Sequence, residues 1–198
     1  MRFAWFALVL GLVGVTCLAS GQEPAKGQKK DAQEKFEPRG APGAGQKFLQ
    51  KLVGEFDVVR TLTFRENQPA RTTGTCKQTM IQDGRFLQSD FVFEGANGKT
   101  TGMGVIGFEG TTKLFTSVWI DSRQTKMSLR QSKAPFDGEQ IILFSRSLAE
   151  DGKAGRQSRT VTKLEANGNK IVHRQFSLAA DGTERQVMEL VLTRKATN

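Results

Sequence analysis

The sequence predicts an all-β domain, an antiparallel up-and-down β-barrel of about ten strands with a short helix in front of it. Three observations carry this. From Phe56 onward apolar and polar residues alternate with the period of a half-buried strand. Strand-like runs recur at spacings of roughly 8 to 14 residues with turn residues between them. The joints hold Asp83-Gly84, Asn97-Gly98, Asp137-Gly138, Asp151-Gly152, Asn167-Gly168 and Asp181-Gly182, pairs that suit a hairpin turn because its two central residues take positive φ.

The elements follow in chain order. Met1-Arg2, the apolar run Phe3 to Val15 and the small residues Ala19, Ser20 and Gly21 read as a cleavable secretory leader over residues 1–21. The run is shorter than the roughly 20 apolar residues that a membrane-spanning helix needs. Cleavage is expected after Gly21 or Ala19, which makes the protein periplasmic or extracellular. Lipid attachment at Cys17 is the minor alternative, since the residues before it, Gly14-Val15-Thr16, depart from a lipoprotein signal.

Residues 22–45 are rich in Gln, Glu, Lys, Pro, Gly and Ala, with Phe36 as the one large apolar side chain. Such a stretch cannot bury enough surface to offset the entropy of ordering and is expected to be a disordered spacer. The barrel domain is then residues 46–198. At its start Phe48, Leu49, Leu52 and Val53 stand at helical spacing, stopped by Gly54; this predicts a short amphipathic helix packed as a lid or plug.

In the first strand Phe56, Val58, Leu62 and Phe64 take one face, and Asp57, Val59, Thr61, Thr63 and Arg65 the other. Further strands are expected to begin near Thr72, Arg85, Thr101, Lys113, Gln124, Glu139, Gln157, Asn169 and Glu184. Successive hairpins build a meander, and closing it removes two exposed edges. Glycines at 102, 104 and 107 fall inside the strand that starts near Thr101; they favour a sharp bend there, or alternatively clear space for a ligand.

Charge and cysteine content narrow the function. The chain has 29 Lys plus Arg against 20 Asp plus Glu, a net +9, but the basic residues are scattered singly along strands. No recognition helix or aromatic RNA-binding signature accompanies them, so nucleic acid is not an expected partner; weak contact with an anionic envelope surface is. With the leader removed, Cys76 is the sole cysteine, expected as a small buried hydrophobe rather than a reactive group.

Several segments resemble a known family. They are Gly54-Glu55-Phe56, Gly84-Arg85-Phe86-Leu87, Gly104-Val105-Ile106-Gly107-Phe108, Ser117-Val118-Trp119-Ile120-Asp121-Ser122, Arg159-Thr160-Val161-Thr162 and Met188 through Lys195. This order is similar to that of the bacterial domain of unknown function DUF1579, over about Gln46 to Lys195. The resemblance implies a lipocalin-like (calycin-like) barrel and no particular activity. The family often has Trp where this chain has Phe56 and Tyr where it has Phe108, and this chain contains no Tyr, so no role here rests on a phenol.

Candidate chemistry is sparse, and no catalytic set or cofactor is predicted. His173 is the one histidine, which rules out a His-rich metal cluster. A Ser117 or Ser122, His173, Asp121 arrangement lacks the nucleophile-elbow motif. Haem ligation by His173, late in a ten-stranded barrel, is a weak alternative. The residues expected to bind a small hydrophobic or amphipathic ligand are Phe115, Trp119 and Asp121, which share one strand face, with Arg85, Arg159 and Glu189 as polar anchors. Both faces of the Leu114–Asp121 run are apolar enough to point inward, and a structural role for these groups competes with a binding one. The rival function is a non-catalytic structural or interaction module with a filled barrel.

Overall fold

The computed structural model describes residues 40–63, 69–95, 98–148 and 154–196. The expected leader, Cys17 and the spacer up to residue 39 lie outside the described residues. Among those described, the chain forms one helix, α1 (Ala44–Lys51), and ten strands: β1 (Gly54–Leu62), β2 (Ala70–Ile81), β3 (Phe86–Gly95), β4 (Gly98–Glu109), β5 (Leu114–Asp121), β6 (Ser128–Gln131), β7 (Gln140–Leu148), β8 (Ala154–Glu165), β9 (Lys170–Leu178) and β10 (Glu184–Arg194). Every neighbouring pair is antiparallel, and β1 pairs with both β2 and β10, so the meander closes into a barrel.

Turn chemistry sets the corners. At Gln82, Asp83 and Gly84 φ is 50°, 54° and 78°, three successive left-handed residues rather than the two of a minimal hairpin turn. A 3₁₀ turn at Ala166–Gly168 again has positive φ at Ala166, Asn167 and Gly168. The β4–β5 connection lacks an Asn-Gly or Asp-Gly pair; there the Glu109 carboxylate accepts the backbone N–H groups of Thr111 and Thr112.

One end of the barrel is stoppered. Helix α1 starts two residues earlier than the expected spacer boundary and buries Phe48 and Leu49, with Leu52 just beyond its end. Phe48, Phe108, Phe115 and Phe136 form an edge-to-face cluster beneath it, with centroids 4.9–6.3 Å apart. Gly45 lets the helix seat: a Cβ there would lie 2.1 Å from the Phe108 ring. Gln46 fastens the start of α1, accepting the Gly43 N–H at 2.8 Å and donating to the Phe108 carbonyl at 2.9 Å. Arg194 fastens its end, donating to the carbonyls of Val53, Lys51 and Gly168 while its guanidinium lies 4.8 Å from the centre of the Phe56 ring. These bonds satisfy carbonyls that a helix terminus otherwise leaves open.

Candidate functional site

The inward faces follow from strand parity. On β1 the inward residues are Phe56, Val58, Arg60 and Leu62; on β5 they are Phe115, Ser117, Trp119 and Asp121; on β9 they include Ile171, His173 and Gln175. Above the aromatic stopper the interior is hollow. A cavity of about 360 Å³ runs from Leu52 to Arg123 and Gln124 at the far rim, within the range of about 300–1,000 Å³ that small-ligand sites occupy. Its walls are aliphatic and aromatic, interrupted by a few polar side chains on several strands.

Trp119 organises one wall. Its indole lies across β4, where Cβ atoms at Gly102 and Gly104 would approach the ring to 2.3 and 3.3 Å. The glycines therefore clear space for the protein's own tryptophan. The ring meets Phe91 edge-on at 5.5 Å, Phe91 stacks on Phe93 at 5.8 Å, and the Arg60 guanidinium sits 4.2 Å over Phe93. Asp121 completes this wall and is saturated as an acceptor. It takes the Trp119 Nε1–H at 3.1 Å, the Arg123 backbone N–H and guanidinium at 3.0 Å, and the Gln124 amide at 3.2 Å. These bonds, the Arg123 side chain foremost, hold its carboxyl far below the usual carboxylate range.

Two further basic side chains enter the cavity, Arg130 from β6, the strand next to β5, and His173 from β9 across the barrel. His173 Nδ1 shares a hydrogen bond of 2.8 Å with Thr162 Oγ1. The imidazole is enclosed by the barrel, and this burial, reinforced by the Arg130 charge, pushes its pKa down to about 4; it is neutral at pH 7. Arg130 faces inward from β6 beside Ser117 on β5. Its Nε is buried without a hydrogen-bond partner, and among the described residues no carboxylate pairs with it. Desolvation lowers its pKa from the ordinary arginine value, while a guanidinium remains protonated in proteins.

The sequence-predicted residues thus separate. Trp119, Asp121 and His173 line the cavity. Phe115 is fully buried in the aromatic stopper instead. Arg85 lies in the turn before β3, bonded to the Gln82 carbonyl and paired with Asp83. Arg159 and Glu189 point outward, Arg159 bonded to Glu184 and stacked on Phe176, Glu189 bonded to Arg174. Parity explains the correction, because Arg159 and Glu189 alternate with the inward-facing Thr160 and Leu190. A catalytic set of Arg85, Asp121, His173 and Glu189 is accordingly not assembled in one cleft. Cys76 is an inward, buried thiol whose pKa burial raises.

Three charged cavity residues, Arg60, Arg123 and Arg130, escaped the sequence reading. Arg60 shares the parity of Phe56, Val58 and Leu62, so the alternation itself marked it as inward. Arg130 gave the reverse signal: on its four-residue strand the apolar Leu129 points out, 68% exposed, and the arginine points in.

The comparisons with known proteins agree with this architecture. The model of a family of proteins of unknown function, DUF1579, matches residues 41–194. The chain belongs to that family. No curated protein matches it. Among solved structures it is similar to the crystal structure of Rv2717c from M. tuberculosis, at 14% identity and a TM-score of 0.53, covering 79% of this chain and 100% of that one. At that identity the likeness is one of fold alone, and it accords with the closed ten-stranded barrel of this DUF1579 member.

Proposed function

We propose that this DUF1579 protein is a container, holding one small apolar or amphipathic molecule inside the barrel. The observation that carries the reading is the cavity of about 360 Å³ above the stopper. A barrel serving only as a rigid module gains by filling such space, because unfilled interior forfeits dispersion contacts. Native mass spectrometry on protein purified from its own host tests it: a bound small molecule released on denaturation is expected, and a homogeneous ligand-free mass that takes up no amphipathic probe would sink the reading. Haem ligation by His173 competes for the same space, and hemin titration decides it, because an axial imidazole would produce a Soret shift lost in His173→Ala.

In the same reading the protein works outside the cytoplasm, which N-terminal sequencing of the host-purified chain checks. A net +9 chain with exposed Met127 and Leu129 beside Arg123 and Lys126 at the rim is suited to weak contact with an anionic envelope surface. Sedimentation with anionic against neutral vesicles measures that contact.

A further inference from the structure

We propose that the molecule held in the barrel is a monocarboxylate with an apolar body, and that its head is the missing counter-ion of Arg130. The proposal rests on the container reading and names the class of ligand.

Charge inside the cavity is unbalanced. Its lining includes three arginines, Arg60, Arg123 and Arg130, and a single acidic residue, Asp121. Asp121 is already engaged by Arg123, Trp119 and Gln124 at the rim. Arg60 is partly accommodated, with its guanidinium over Phe93 and Nη2 at 3.5 Å from Thr72 Oγ1, and it feels both Asp121 and Arg123. Arg130 has no such relief. It stands on the wall opposite Arg60, since β6 and β1 are farthest apart in the ring of strands, and its charge is answered by no side chain among those described.

Burying an uncompensated charge costs several kcal/mol, and an apolar side chain of similar volume is generally the more stable choice. A guanidinium in an aliphatic cavity is therefore a poor structural element and a good receptor for an anion, because its planar fork matches a carboxylate in two parallel bonds. The neighbours suit the same guest. Ser117 lies beside Arg130 in register, and Ser128 follows on the same face. His173, neutral and hydrogen-bonded through Nδ1 to Thr162, lines the same cavity without adding charge. One guanidinium beside a neutral imidazole balances one negative charge rather than two. Leu143, Ile141 and Leu190 provide the apolar surround for the rest of the molecule.

The test is calorimetric titration of the delipidated full chain with decanoate, decanol and decyl phosphate, repeated on Arg130→Met, Arg130→Lys and the outer-face control Arg159→Met. Wild type and the control should bind decanoate at least ~10-fold more tightly than decanol, a difference of about 1.4 kcal/mol. In Arg130→Met that ratio should collapse toward one, and Arg130→Lys should restore part of it. Retained near-ultraviolet signal from Trp119 verifies that each variant is folded. Equal binding of decanoate and decanol by wild type would overturn the carboxylate assignment and leave the container standing. Failure of all three probes to bind would count against both. A preference that survives Arg130→Met and disappears in Arg60→Met would overturn the role of Arg130, and tighter binding of decyl phosphate than decanoate would overturn the monocarboxylate class.

Discussion

The two halves of the barrel interior are built on opposite rules. Around α1 the space is closed by four phenylalanines and by Leu49, Leu52 and Phe56, with Arg194 and Gln46 spent on main-chain carbonyls. Toward the far rim the same ring of strands encloses arginines, a neutral histidine and scattered hydroxyls around open volume. One half maximises packing; the other keeps polar groups whose partners the fold does not supply. Packing stabilises the first half, and in the container reading proposed above recognition would fall to the second.

Substitutions can break or sharpen this contrast. The largest effect is expected at the stopper: Phe115→Ala should cost about 3–5 kcal/mol in urea unfolding, whereas Leu143→Ala on the cavity wall should cost less, because its side chain already has neighbours missing on one side. Equal losses at the two sites would erase the distinction.

Next comes pH. His173 titrates near 4 in the folded protein and near 6.5 when unfolded. The unfolded chain therefore takes up the proton first as pH falls, and folded stability should drop between about pH 6.5 and 4, by up to about 3 kcal/mol. Chemical denaturation across that range should show a shallower slope in His173→Gln than in wild type.

Arg130→Met runs the other way and should raise stability by about 1–3 kcal/mol, since it removes a buried charge without a partner. A lower melting temperature for that variant would mean that the guanidinium has found compensation within the fold.

The smallest effect belongs to the outer wall. Glu189→Gln, which loosens the half-exposed pair with Arg174, should change stability by less than about 1 kcal/mol.

Legibility in the sequence follows the same boundary. Turn pairs and alternation located all ten strands to within a few residues, and the parity of β1 was correct, because these signals come from backbone conformation and from the choice between core and solvent. The β5 run was ambiguous since a curved barrel half-covers even its outer face, leaving Val118 partly buried while Ile120 is 37% exposed. Gly102 and Gly104 could be read as a bend or as clearance, but not as a seat for Trp119, because the indole arrives from the next strand. The site was the least legible part. The identity of an arginine does not say which strand face it takes, so the outward-facing Arg159 stood as a candidate anchor, while Arg130 was hidden by its outward-facing neighbour Leu129.

The pairing of β1 with β10, from Phe56 opposite Arg194 to Leu62 opposite Met188, also sets the order of assembly. The earliest strand finds its second partner only when the latest has formed, so ring closure is the most non-local event in the chain and belongs to the slow class of folding reactions. Until then the growing sheet carries two unsatisfied edges, each open to pairing with a neighbouring copy. The clasp of Arg194 on α1 is thus a latch on a completed circle, and molecules stalled one strand short would be the species most prone to exchange strands with one another.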